Sequence, residues 1–298
     1  MGVFVATVQR LLLWIRSHPR WGWIALIAYA AAVTFPHENV QYVVNELCIR
    51  FTHKRVYQAS AAIALVELAI LTFIVYRGLA PQPARRILAI FWMVTVALIW
   101  ATWRFFTANN TELVHYPQYV PEGMALLALT LSPVESIAWI TLLGSLDECF
   151  QYADLMAGRP VQFDFNDIYM DLLGGAAGVL LAMAFLRCQP AVASTWKSIL
   201  KRPGVAIILT IVIIGIALWL TGPMLLYQDK TNSHYCFALS RDKPPQYWFI
   251  NPLFGPHKFH TLSPIEGPIL ILATLAFYAI LDRRVRIYSG STQAKMTF

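Results

Sequence analysis

The sequence predicts an all-α, polytopic integral membrane bundle of about eight transmembrane helices with both termini in the cytoplasm. Three observations predict it. Hydrophobic residues fill 58% of the 298 positions and charged residues only 13%, against about a quarter charged in a soluble domain. Several apolar stretches approach the roughly 20 residues that carry a helix across a bilayer. Aromatic residues mark their ends (Trp21 and Trp23, Tyr57 and Tyr76, Trp103, Phe105 and Phe106), as amphipathic rings do at the headgroup level.

The spans are expected over 21–35, 57–76, 87–106, 113–131, 134–153, 165–186, 204–221 and 265–282. Residues 1–20 form an amphipathic interfacial segment, with Arg10, Arg16 and Arg20 beside the apolar run Leu11 to Ile15. This basic stretch and the following Ala28-Tyr29-Ala30 imitate a cleavable signal peptide. The extra apolar run inside the basic region favours a retained anchor. Residues 21–86 supply two helices and an outer amphipathic segment, 36–56, carrying Val43, Val44, Leu47, Ile49 and Phe51. Residues 87–187 form a four-helix core. Residues 188–298 add two helices around an outer loop, 222–264.

An even number of spans puts both termini on one side. That side would hold Arg10, Arg16, Arg20, Arg77, Arg85, Arg86, Arg187, Lys197, Lys201, Arg202, Arg283, Arg284, Arg286 and Lys295, which is 14 of the 23 basic residues. Basic residues accumulate on the cytoplasmic side, so the net charge of +7 reads as orientation. No basic run interleaved with aromatics occurs, and a nucleic-acid partner is not expected. The lipid bilayer is the first partner. The long outer loop carries Trp248, Phe249, Phe254 and Phe259. It is too aromatic for a linker and is expected to dock on the bundle or on other membrane protein subunits.

Familiar site chemistries lack their signatures. No GxGxxG, GxxxxGK[ST], GxSxG or HExxH occurs. The four cysteines form no CxxC; Cys48 and Cys236 fall in outer loops, where either a disulfide or two thiols is compatible with the spacing. His257-x-x-His260 with His234 and Cys236 lacks the fixed geometry of a zinc site and reads as solvated loop. No histidine lies mid-span, which disfavours haem as a cofactor. A weak echo relates PEGMALLALTL at 121–131 to PIEGPILILATL from 264, each following a histidine. It hints at the half-repeats of transporters but also suits two leucine-rich helices.

The chemistry is concentrated in the core. Glu112, Glu122, Glu135, Asp147, Glu148, Asp154, Asp164, Asp167 and Asp171 are nine of the chain's sixteen acids. Ionisable groups in a bilayer are costly and need a reason. The up-down topology brings Glu112, His115, Tyr119 and the deeper Glu122 of one helix to the level of Asp147, Glu148 and Gln151 of the next and Asp167 and Asp171 of the third. Spacings of three and four place each group on one helix face. Arg159, in the short outer turn, is the expected counter-charge. Gly174-x-x-x-Gly178 allows close helix packing.

Read in order, Asp147-Glu148-x-x-Gln151, Arg159, Asp167-x-x-x-Asp171-x-x-Gly174-x-x-x-Gly178, preceded by His115 and Tyr119, resembles the signature of VanZ-like membrane proteins. The resemblance spans 87–187, about a third of the chain, and implies a four-helix core in a bacterial cytoplasmic (inner) membrane. The family usually has Asn where this chain has Asp171, which adds a charge. The resemblance implies no chemical mechanism.

Three roles remain open for the acidic cluster: a structural polar network, a binding site for a cation or polar head group, and catalysis. Calcium or magnesium suits such oxygen clusters. The expected function is a non-enzymatic accessory subunit of a larger membrane complex, with a cation-binding site at the outer leaflet. The alternatives are a membrane enzyme on a lipid-linked or envelope substrate, with Glu148 or Asp147 as base and Arg159 as the anion-binding group, and a small-solute transporter using Glu122 and Glu266.

Overall fold

The computed structural model describes residues 2–155, 162–186, 188–190, 195–227, 237–240, 247–250 and 258–287. The described residues are 80% helical. Its helices are α1 (Gly2–Ser17), α2 (Pro19–Thr34), α3 (His37–Phe51), α4 (His53–Leu79), α5 (Arg85–Phe105), α6 (His115–Thr130), α7 (Pro133–Phe150), α8 (Phe165–Phe185), α9 (Trp196–Leu200), α10 (Pro203–Thr221) and α11 (Glu266–Arg284). Among the described residues, six strands of two or three residues, which the sequence did not foretell, pair as three small ribbons. They are β1 (Cys188–Pro190), β2 (Met224–Leu225), β3 (Phe237–Ala238), β4 (Trp248–Ile250), β5 (Lys258–His260) and β6 (Val285–Ile287).

Among the described residues, α4, α5, α8 and α10 are long and apolar enough to cross a membrane. The other four expected spans are helical but differ in kind. At 16 residues each, α2 and α6 are short, reaching only about 24 Å at 1.5 Å per residue. Three ionisable residues interrupt α7 (Glu135, Asp147 and Glu148), and α11 carries Glu266, Asp282, Arg283 and Arg284 at its ends.

Burial separates the four long helices by role. The most apolar window of α8 is wholly buried, whereas those of α4 and α10 are 6% and 17% buried. Ile63, Val66 and Phe73 on α4, and Ile211, Ile213 and Leu220 on α10, point outward. Such apolar belts suit lipid rather than water. α8 is the axis of the bundle, sheathed by α4, α5, α6, α7 and α11.

Missing side chains make the α6–α8 seam. A Cβ on Gly174 would run into the Tyr116 backbone, one on Gly178 into the Val120 carbonyl, and one on Gly123 into the Gly175 carbonyl. The two backbones touch, as small residues permit in membrane bundles. Hydroxyl pairs tie α11 in: Tyr278 Oη lies 2.5 Å from Thr95 of α5 and Tyr169 of α8 lies 3.2 Å from Thr274. Gln82 fastens the α4–α5 turn to the end of α8, donating to the Leu186 carbonyl at 2.9 Å and accepting from the Cys188 N–H at 2.9 Å.

The α6–α7 hairpin is made by local rules. Leu131 takes the left-handed conformation (φ 57°) that ends α6, at a cost of roughly 1–2 kcal/mol for a residue with a Cβ. Ser132 then caps α7 by accepting from the Glu135 N–H, and Pro133 occupies the first helical position.

Candidate functional site

The starts of α6 and α8 and the end of α7 meet at one end of the bundle. There His115 is buried between two carboxylates. Its Nδ1 lies 2.9 Å from Asp171 Oδ1 and its Nε2 3.7 Å from Asp167 Oδ2. The expected counter-charge, Arg159, lies outside the described residues; within them His115 holds that place. Asp171 is fully buried, and α7 makes room for it at Gly144, where a Cβ would sit 2.8 Å from Asp171 Oδ2. Gly144 was not singled out in the sequence, because its task depends on a partner in the next helix.

The remaining acids surround this pair. Asp147 Oδ2 accepts from Gln151 Nε2 at 3.3 Å. Glu148 Oε2 accepts from the Asp164 N–H at 3.1 Å, tying the end of α7 to the start of α8. Gln151 opens a single π-helical turn, Gln151–Leu155, a distortion found mostly at functional sites. Tyr119 is buried beside Asp171. Glu122, two turns below His115 on α6 and about 10 Å deeper, is buried near Asp171 and Asp147. Glu112 precedes α6, and its carboxylate accepts from the Ala108 N–H at 2.7 Å and from Asn109 Nδ2 at 2.8 Å.

Two carboxyls outside the membrane-spanning segments report the local field. Burial, then the Asp167 carboxylate, pushes Glu112 up to about 8. Burial, again followed by Asp167, pushes Asp164 up to about 7. Both hold protons near neutrality because burial penalises their charged forms first and neighbouring negative charge adds to it, beyond what His115 offsets.

Among the described residues at this end, four buried carboxylate oxygens find no hydrogen-bond partner: Glu122 Oε2, Asp147 Oδ1, Glu148 Oε1 and Asp171 Oδ2. A buried orphan of this kind costs about 1–3 kcal/mol. Of these four residues Asp147 lines a cavity of about 400 Å³, together with Glu112, His115, Asp164 and Asp167. Val40, Gln41, Val44 and Asn45 also line it, so the amphipathic helix α3 forms part of its wall. Among the described residues, no group of three or more His, Cys, Asp or Glu side chains is arranged to hold a metal ion.

Asn166, unnoticed in the sequence, fixes the rim. Its Nδ2 donates to the carbonyls of Phe106 and His260 at 2.8 and 2.9 Å, and its Oδ1 accepts from the Leu262 N–H at 2.8 Å. Described parts of the long loop therefore pack on this end, helped by Tyr152 donating to the Ala238 carbonyl. The Glu122 and Glu266 echo finds no structural parallel. Glu266 caps its own helix and meets His260 at 3.2 Å near the surface, whereas Glu122 is interior. The Cys48–Cys236 pairing and the His234 and His257 positions lie outside the described residues. Searches against protein families, curated proteins and solved structures give no match.

Proposed function

We propose that this chain is a multi-pass protein of a bacterial cytoplasmic membrane, with eight spans and both termini inside, whose acid-lined cavity binds an amine cation at the outer leaflet. The α5–α8 core is read as VanZ-like, and the flanking helices and aromatic loop as its attachment to a larger membrane assembly. One observation carries the ligand assignment: Asp147, whose buried Oδ1 has no donor, lines a cavity whose charged lining is acidic apart from His115. A polyatomic cation with N–H donors answers both the charge and the missing hydrogen bonds. A metal would need a converged ligand set, and among the described residues none is present.

The test is thermal unfolding of the detergent-purified protein with spermidine, magnesium or tetramethylammonium. Spermidine should protect at concentrations where the other two do not, and Asp167→Asn should weaken the protection about tenfold, the worth of one charge-assisted hydrogen bond. Equal protection by tetramethylammonium would sink the donor argument. Co-purification of stoichiometric partners in mild detergent tests the attachment; a monomer would remove that part of the reading.

A second reading is favoured by one contact. His115 held at 2.9 Å by Asp171 has the geometry of an oriented general base, which would make this end an enzyme site acting on a lipid-linked substrate. Turnover lost in His115→Gln with amine protection retained would decide for it.

A further inference from the structure

We propose that a second site, at the opposite end of the bundle, holds the phosphoethanolamine head group of a membrane phospholipid. Glu135 lies at the start of α7, twelve residues before Asp147, hence about 18 Å from the acidic end along the helix. It is 4% exposed. Its Oε1 accepts twice, from Trp139 Nε1 and from the Gly204 N–H, both at 2.8 Å. That second bond exists because Gly204 packs against the Trp139 ring, where a Cβ would approach to 3.2 Å. Its Oε2 is buried with no donor.

This carboxylate lines a cavity of about 580 Å³ together with Trp23, Trp139, Ser198, Lys201 and Arg202. Arg202 spends its Nη2 on Asp282 at 3.3 Å, while its Nε is buried and without an acceptor. Lys201 is exposed at the rim. The residues lining this cavity therefore include an acid with an unmet acceptor and a base with an unmet donor. A zwitterion satisfies both: its ammonium donates to Glu135 Oε2, and its phosphate accepts from Arg202 Nε and faces Lys201. Glu135 and Lys201 are not within ion-pair distance of each other, so the cavity does not close its own circuit.

The ammonium must carry N–H groups, because a quaternary ammonium cannot donate to Oε2. The occupant is assigned to lipid rather than to a free metabolite from the cavity's walls. Trp23 and Trp139 meet edge to face at 5.8 Å beside its charged groups, and paired indoles of this kind sit at the membrane–water interface. Exposed Trp21, Ile24 and Ile27 of α2 continue the apolar surface beyond them.

The experiment is native mass spectrometry of the delipidated, detergent-purified chain titrated with dioleoyl-phosphatidylethanolamine, -phosphatidylcholine or -phosphatidylglycerol. The ethanolamine lipid should bind about tenfold tighter than the choline lipid, the worth of a charge-assisted hydrogen bond. Glu135→Gln should erase that preference, since an amide presents no charge and turns an N–H toward the ammonium. Lys201→Glu, on an exposed side chain, should weaken the ethanolamine lipid several-fold and leave the fold intact, so it reads the site even if the first variant does not fold. Equal binding of the ethanolamine and choline lipids, a preference retained in Glu135→Gln, or an unchanged affinity in Lys201→Glu overturns the proposal. Soluble glycerophosphoethanolamine binding as tightly as the lipid overturns the lipid assignment.

Discussion

At the scale of single residues, His115 and Asp171 form one unit. Each is nearly inaccessible to solvent, and each satisfies the other at 2.9 Å. Truncating one partner of such a buried pair typically costs roughly 3–5 kcal/mol, largely because the other is stranded. His115→Ala should therefore destabilise the detergent-solubilised protein by about that amount, and adding Asp171→Asn should recover a good part of it. Strict additivity in thermal unfolding would mean the two are not coupled. Glu112 and Asp164 carry a second residue-scale prediction. Glu112 faces Asp167, Asp164 and His115, and Asp164 faces Asp167 and His115. Their folded values, about 8 and about 7, lie above the ordinary values of 4.5 and 3.8. The folded chain thus binds more protons than the unfolded one between those limits, and stability falls as pH rises through them. Unfolding temperature should drop between roughly pH 5 and 8.5, and Asp164→Asn, which keeps the α8 cap, should flatten the slope.

Elements decide what could be read in advance. The pairing of Asp167 with Asp171 and of Asp147 with Gln151 was legible because a helix puts residues four apart on one face. The glycine seam was legible for the same reason at Gly174 and Gly178. Gly144, Asn166 and Glu135 were opaque because their partners are remote: Asn166 bonds Leu262 across 96 residues, and Glu135 bonds Gly204 across 69. The role of His115 was hidden for the same reason, while Arg159 lies outside the described residues. Sequence offered Arg159 in the connecting turn, whereas the described side chains put His115 of another helix between the acids. The seam itself yields a prediction. Gly178→Val should drive a side chain into the Val120 carbonyl and cost about 1–3 kcal/mol or more, the usual penalty of overpacking. Gly215, with no heavy atom nearer than 3.9 Å to its Cβ position, should tolerate Ala without loss, and the two variants compared by thermal unfolding separate packing from propensity.

For the whole molecule, the open question is orientation. Cys188, the cysteine just beyond the end of α8, is a poor reporter of it. Cys188 is fully buried, and burial pushes its thiol up to about 12, so it should resist labelling from either side. Ser198 and Thr52 are exposed near opposite ends. In a background lacking the native cysteines, Thr52→Cys should react with an impermeant maleimide in intact cells and Ser198→Cys only after permeabilisation. The reverse pattern would turn the acidic cavity toward the cytoplasm.

The complete enclosure of α8 has a consequence for how the chain is born. Hydropathy alone would send this helix into lipid, yet in the finished protein its apolar surface meets only other helices. If both cross the membrane as proposed, α6 and α7 leave the ribosome first, with His115 and Glu148 lacking the partners that α8 and its N-cap bring. Until α8 slides between them, the nascent hairpin is a polar intruder in oil, the kind of intermediate that insertion chaperones and membrane proteases watch for. Release of the chain before residue 171 should leave a fragment that is rapidly degraded, while release after α8 should leave one that persists. A protein organised around its sixth expected span becomes durable late in its synthesis, and slow translation across residues 150–165 would prolong its most vulnerable moment.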